Sequence, residues 1–318
     1  MFARAALLLC LLVVVASASA QSPRAQASQG GASASVTTGH QLEQARSFWT
    51  PERMKEAQAL PVHLPGNADL ADGTPGSTPP TALPGESTIP TETVADPTAP
   101  GVSQNGAVFV VGRFGTLGRC SGTSVNAPNF SLVITAGHCV HEGHHWMGSK
   151  WVFVPGYHYG ERPFGTFVAT WLGSTPQWLK SENSNYDVGA AVVSRNERGQ
   201  RLADAVGADD IAWNLPHNQV FDVYGYPVAE PFDGATLQHC AQTPYEGHAF
   251  FSLLTSGPLD LAVHCEISPG ASGGGWVISG GNVLNGVTTD GYPGDDTNYG
   301  PYFGDEVAKL YARAAKIK

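Results

Sequence analysis

The chain has 318 residues and a formal net charge of −10 at pH 7, enough length for one large or two ordinary domains. The acidic balance argues against nucleic acid or an anionic membrane surface as partner. No stretch supplies the roughly 20 consecutive apolar residues that a membrane-spanning helix requires.

Residues 1–20, MFARAALLLCLLVVVASASA, carry one basic residue, an apolar run from Ala5 to Val15, and small residues ending Ala18-Ser19-Ala20. This pattern predicts a secretory signal removed after Ala20, so the mature protein is expected to be secreted and extracellular. Cys10 leaves with it, and Cys120, Cys139, Cys240 and Cys265 remain. An even number in an oxidising compartment predicts two disulfides. Three pairings satisfy the count; the simplest joins neighbours, Cys120 with Cys139 and Cys240 with Cys265, each bridge contributing about 3 kcal/mol by loop closure.

From residue 21 to about 105, Ala, Ser, Gly, Thr and Pro dominate, as in ADGTPGSTPPTALPGESTIPTETVADPTAP at 71–100. Such a composition buries too little apolar area to offset its ordering entropy, so this stretch reads as a largely disordered pro-region or linker. One island, SFWTPERMKEAQAL at 47–60, has a different texture. Thr50 can cap a helix, Pro51 suits its first turn, and Met54, Ala57 and Leu60 share a face, which predicts a short helix near 50–60.

From 106 to 318 the sequence becomes a series of short β-rich runs separated by Gly, Pro, Asn and Asp, among them AVFVVGRF, SLVITAG, KWVFVPGY, DVGAAVVS and VFDVYGYP. Many short strands with regular turn signals predict an all-β domain, an antiparallel barrel or sandwich, single or doubled. The closing GDEVAKLYARAAKIK has acids first, bases last, and Val307, Leu310, Tyr311 and Ala314 on one stripe, predicting a C-terminal α-helix. Asn129-Phe130-Ser131 is a glycosylation sequon, relevant only in a eukaryotic host.

Three stretches set a reactive residue beside a turn: LVITAGHC presents His138, NYDVGAAVV opens on Asp187, and SPGASGGGW holds Ser272 among glycines. Acyl transfer by serine needs a base for the hydroxyl proton, a carboxylate to orient that base, and backbone N–H groups aimed at the oxyanion. The glycines around Ser272 allow a bend tight enough for the N–H groups of Gly270 and Ser272 to converge on one oxygen.

TAGHC, an Asp-initiated strand and Gly-x-Ser-Gly-Gly, in the order His, Asp, Ser, resemble the chymotrypsin/trypsin-like serine endopeptidases. VFVPGYHYGERPFGTF, VFDVYGYP, YGPYFG and WTPERM are similar to stretches of the secreted microbial trypsin-like and glutamyl-endopeptidase-like branch. The resemblance implies a double six-stranded antiparallel β-barrel over 106–318, with His138 as general base, Asp187 as its orienting carboxylate and Ser272 as nucleophile. It also implies an oxyanion hole from Gly270 and Ser272, a Cys120–Cys139 bridge pinning the histidine loop, and protein or peptide substrates. It implies no cofactor or metal, and a monomer is expected.

Two features depart from that pattern. Ala271 stands where chymotrypsin has the Asp that pairs with the new N-terminus after zymogen cleavage, so that ion pair is lost and the arm over 21–105 is expected to inhibit or assist folding before removal. The specificity pocket is the second departure. Glu266, six residues before Ser272, suggests cleavage after Lys or Arg, yet Cys265 is displaced from the family position. Thr288 and Thr289 replace the histidine of glutamyl endopeptidases, and Asp290 is another candidate for a cation-selective wall.

Two rival readings are an inactive homologue acting as a secreted binding protein, and a metal site made by His138, His141 and His144, which recur every three residues. The segment follows a strand and contains Glu142-Gly143, so His141, His144 and His145 are expected to be solvated loop residues.

Overall fold

The structure is a computed structural model; it describes residues 33–35, 37, 39–60, 90–267, 269–291 and 296–318. The predicted signal at 1–20 lies outside the described residues.

The N-terminal segment contains β1 (Ser33–Ser35), α1 (His40–Phe48), α2 (Pro51–Glu56) and β2 (Gln58–Ala59), and β3 (Glu92–Thr93) follows after 61–89. The first lobe is formed by β4 (Asn105–Val111), β5 (Leu117–Val125), β6 (Leu132–Ala136), the hairpin β7 (His141–Glu142) and β8 (His145–Trp146), β9 (Val152–Pro155), β10 (Phe167–Ser174), α3 (Pro176–Ser181) and β11 (Val188–Val193). Pairing runs β10-β11-β6-β5-β4-β9, and β9 pairs back onto β10, closing a six-stranded antiparallel barrel. Its interior is filled by Val108, Val133, Phe153, Phe167 and Leu172 around the Cys120–Cys139 bridge.

After α4 (Leu202–Val206), the second lobe comprises β12 (Asp210–Ile211), β13 (Val220–Gly225), β14 (Gln238–Pro244), β15 (Leu261–His264), β16 (Gly275–Ile278), β17 (Val283–Val287), β18 (Asp290–Gly291) and β19 (Thr297–Gly300). These form a six-stranded sheet, β12-β17-β16-β13-β14-β3, and a three-stranded sheet, β15-β19-β18. Among the described residues the pairing does not close this lobe into a ring, and β12 joins β17 in parallel. Phe221, Val263, Ile267 and Trp276 pack here around the Cys240–Cys265 bridge. Both disulfides therefore join neighbours along the chain.

The C-terminal helix α5 (Asp305–Ala314) forms as predicted and buries Val307, Leu310 and Ala314. These side chains pack with Ile134, Val188 and Leu284, so the helix ties the first barrel to the second lobe. Asn129, in the sequon, donates its side-chain amide to the carbonyls of Ala314 and Ile317, so the nitrogen a glycan would need is engaged at the end of this helix.

Within 21–105 the described residues carry ordered elements. Thr50 caps α2 by accepting the Arg53 N–H at 3.3 Å, and Pro51 begins the helix as expected. The helix ends at Glu56, however, and Ala57 and Leu60 are buried in the extended chain beyond it. A second helix, α1, precedes it, and β1 adds to the barrel at β10. The physical reason is the partner surface: β4 is buried along nearly its whole length, so its outer face also offers apolar contact to an otherwise apolar-poor segment. Among the described residues no helix is long and apolar enough to cross a membrane.

Candidate active site

β6 is a β-branched run buried throughout, and it stops at Ala136. Gly137 follows because a Cβ there would lie 2.6 Å from Asp187 Oδ1 and 2.9 Å from the Trp178 ring. The chain then makes a helical turn, with Val140 and His141 N–H groups both donating to the Gly137 carbonyl, and this turn carries His138.

Asp187 arrives from the neighbouring strand. The Asn183 side chain accepts the Asn185 N–H at 3.0 Å and shapes the 3-10 turn Ser184–Tyr186, which delivers Asp187 to the start of β11. Val188 pairs with Ala136 across the ladder, which sets Asp187 beside the turn after β6. Its Oδ2 lies 2.7 Å from His138 Nδ1, and its Oδ1 accepts the His138 backbone N–H, also at 2.7 Å.

Both residues are buried, at 1 % and 2 % side-chain exposure. Burial disfavours a charged imidazole, but the Asp187 charge and hydrogen bond outweigh it and raise the His138 pKa above the ordinary imidazole value. Nε2 of His138 is buried and makes no hydrogen bond to Ser272 or to any other described residue.

Ser272 comes from the second lobe, in the loop between β15 and β16. Gly270 (φ 104°) and Gly273 (φ 81°) adopt left-handed backbone on either side of it. A Cβ on Gly273 would lie 2.1 Å from Thr135 Oγ1 and 2.4 Å from the Ser121 carbonyl, so only glycine fits where the loop meets the first barrel. Among the described residues no backbone carbonyl takes up the N–H of Gly270 or of Ser272.

One contributor was missed from sequence. The Ser121 N–H donates to the Ser272 carbonyl at 2.7 Å, and its hydroxyl donates to the Gly270 carbonyl at 3.3 Å while accepting the Tyr226 N–H at 2.9 Å. Ser121 therefore stitches the serine loop to β5 next to Cys120. The Cys120–Cys139 bridge continues this seam, with Cys139 Sγ 3.7 Å from the Ser272 carbonyl. The only signal in the sequence was Ser121's place beside a cysteine of the predicted bridge.

The proposed pocket residues fall in different settings. Thr288 is buried and accepts the Trp276 indole N–H at 2.8 Å, and Thr289 is buried with its N–H and hydroxyl both on the Tyr299 carbonyl. Glu266 is exposed, and its carbonyl accepts the Thr91 hydroxyl. Asp290 is close enough to interact electrostatically with His138 and Asp187; burial, opposed by the Gly291 N–H and the His138 charge, raises its pKa to about 6.

Asp260, which the sequence reading passed over, is buried just before β15, two residues from Ala262; both Ala262 and Asp290 pair with Tyr299 of β19. Burial, with some repulsion from Asp290, raises the Asp260 pKa to about 7 against the opposing Ala249 N–H. Among the described residues no Lys or Arg forms an ion pair with either carboxylate.

The histidine cluster separates. His141 is buried rather than solvated: its ring packs edge-on against Trp146 at 5.0 Å, and burial lowers its pKa to about 4. His144 and His145 are exposed. Among the described residues the one group with ligand atoms close enough for a metal is Cys120, His138 and Cys139, and both cysteines are consumed by their disulfide. A disulfide has no thiolate to offer, so this donor set does not fit a metal.

A closed barrel paired with a second β-lobe that supplies a glycine-ringed serine loop is the chymotrypsin-like architecture. The chain is similar to protease Anisep from Arthrobacter nicotinovorans, at 32% identity and a TM-score of 0.65 over 71% of this chain and 100% of that one. The thermostable serine protease AL20 from an extremophilic microorganism matches at 31% identity and a TM-score of 0.62, over 69% of this chain and 100% of that one. An extracellular metalloprotease of Bacillus subtilis (strain 168) is 41% identical over 71 residues, and the match spans 22% of this chain and 22% of that relative. No family model matches the chain. The chain belongs to the family of bacterial serine proteases of chymotrypsin-like fold.

Proposed function

We propose that the protein is a secreted serine endopeptidase acting through Ser272, His138 and Asp187. The observation that carries this reading is the two-point grip of Asp187 on His138, on the backbone N–H and on Nδ1. A carboxylate so placed fixes the imidazole with Nε2 as the free basic nitrogen.

In this mechanism a peptide carbonyl enters beside Ser272, and Nε2 of His138 takes the hydroxyl proton as Oγ attacks the carbonyl carbon. The N–H groups of Gly270 and Ser272 receive the oxyanion. The imidazolium then gives its proton to the leaving amine as the C–N bond breaks, leaving an acyl ester on Ser272. Water, deprotonated by the same Nε2, cleaves the ester and restores the serine.

We assign the preference to Lys or Arg before the scissile bond. Asp290 and Asp260 support it: Asp290 interacts with the His–Asp pair and Asp260 with Asp290, and these two largely desolvated carboxylates, without a Lys or Arg partner among the described residues, offer a substrate cation the charge balance they lack. Glu266, exposed six residues before Ser272, stands as a further candidate carboxylate for the same preference. A metalloprotease mechanism, suggested by the name of the Bacillus relative, has no fitting donor set among the described residues.

The test is labelling by a serine-reactive phosphonate. The secreted protein should be labelled at Ser272 and lose its peptidase activity, while Ser272→Ala is neither labelled nor active. Absence of both labelling and peptidase activity in the processed protein would favour the inactive-homologue reading.

A further inference from the structure

We propose that residues 39–60 are a permanent structural strap on the first barrel. If the chain is cut between 61 and 89, the strap stays bound and the molecule continues as a two-chain complex. An arm that only blocks the cleft should touch the catalytic residues and leave cleanly. This segment makes no such contact: its described hydrogen bonds and core contacts go to the barrel wall and, beyond it, to Tyr226 and Leu237, none to His138, Asp187 or Ser272.

The wall depends on the strap. Trp49 and Met54 are fully buried, and Trp49 packs 5.5 Å from Phe109, whose side chain points out of the barrel on β4. The Trp49 indole N–H donates to the Lys150 carbonyl at 2.7 Å. Leu60 lies over β5 at Gly118, where a Cβ would come within 2.4 Å of its Cδ2, so the strand has given up a side chain to accept it.

Arg119 adds a directional constraint. It is buried at 1 % exposure, stacks over Phe109 and Tyr157, and donates to the carbonyls of Met54, at 2.6 Å, and Gly234. Removing the strap would leave this guanidinium without one of its two carbonyl acceptors and uncover the aromatic ring beneath it, a cost that favours retention. Arg46 and Arg162 reinforce the contact in both directions: Arg46 donates to Ser194 Oγ, and Arg162 to the Trp49 carbonyl.

The experiment uses full-length protein carrying Ser272→Ala, so that any self-cleavage is removed, with a recognition sequence for an unrelated site-specific protease placed within 61–89. After cutting, native size-exclusion at micromolar concentration should keep the N-terminal fragment with the barrel, and denaturing gels should resolve two chains. Retention at about 1 µM corresponds to a Kd well below that concentration. In the cut complex, Trp49→Ala should lower the melting temperature by about 10 °C. Elution of the fragment apart from a barrel that keeps its melting temperature overturns the proposal, as does a Trp49→Ala complex that melts unchanged. Neither readout uses peptidase activity.

Discussion

Asp187 holds His138 at two points, through Oδ1 to the backbone N–H and Oδ2 to Nδ1, each at 2.7 Å. The first bond fixes the turn and the second fixes the ring, so one side chain sets both where the imidazole sits and which nitrogen faces away. Asp187→Asn keeps an oxygen for the backbone N–H but loses the charge and the correct acceptor on the ring side. Turnover should fall about 10⁴-fold with the fold intact. Steady-state kinetics beside a near-ultraviolet CD spectrum checks this, and a loss under tenfold would contradict the assigned role.

The raised pKa of His138 has a definite sign in the rate profile. The base works only when neutral, so kcat/KM should rise with pH, with its inflection above the ordinary imidazole value of 6.5. Asp187→Asn should move that inflection down. For stability the sign is opposite: the protonated form is favoured in the fold, so this contribution is full below the unfolded pKa and lost as pH rises through the folded value. A wild-type inflection at or below 6.5 would argue against the Asp187 interaction.

If Asp290 forms the proposed cation-selective wall, Asp290→Asn should lower kcat/KM on substrates with Lys or Arg before the cut by about 10²-fold, with little change on a neutral counterpart. Between pH 8 and pH 5, Asp290 and Asp260, with pKa values of about 6 and about 7, take up protons and would lose the charge that the proposed pocket offers a cation. KM for the basic substrate should therefore rise on acidification, beyond any change seen with the neutral one. Equal pH dependence for both substrates would remove Asp290 and Asp260 from the pocket.

Asp209 is buried next to Asp210, and burial raises its pKa to about 7. A carboxyl whose folded pKa exceeds its unfolded value contributes most below about pH 4, and that contribution is lost as pH climbs through 7. Asp209→Asn removes the penalty of burying the charge, so the melting temperature should rise by about 5 °C at pH 8 and hardly at all at pH 4. Equal shifts at both pH values would show that the charge is not responsible.

The histidines of the catalytic turn should divide by burial. His144 has φ 64° and is best changed to Asn, which tolerates that conformation; with His145→Ala, the double variant should keep most activity. His141→Ala removes a buried ring packed on Trp146 and should cost about 1–3 kcal/mol of stability in denaturant melts. A double variant without activity but with its fold intact would give the exposed pair a role.

How far the sequence led can be argued from particular residues. His138, Asp187 and Ser272 drew attention in the sequence because each lies beside a turn next to an apolar strand, and the structure brings the first two into direct contact. The disulfides and the C-terminal helix were legible from local spacing and periodicity. The strap was legible only in part: the 47–60 island with its Thr50 cap and Pro51 start was, whereas α1 and the docking surface were not, because the apolar residues are few and their partner is another strand's outer face. The hint lay in AVFVV of β4, a continuous apolar run where alternation would signal one solvated face. Asp260 and Ser121 stayed hidden for a related reason: each matters through contacts far along the chain, with Asp290 and with Ser272. His141 was misread because Trp146, which shelters it, reaches it through a two-residue hairpin too short to announce itself.

Ala271 is fully buried beside Ser272, close against Gly225 and within the core of the second lobe. The serine loop is thus anchored there by an apolar contact that exists as soon as the lobe has folded. Nothing at that position waits for a freshly exposed α-amino group. An alanine methyl carries no charge to be paired or left unpaired, so cutting the chain elsewhere cannot tighten the loop through this side chain as it could through a carboxylate.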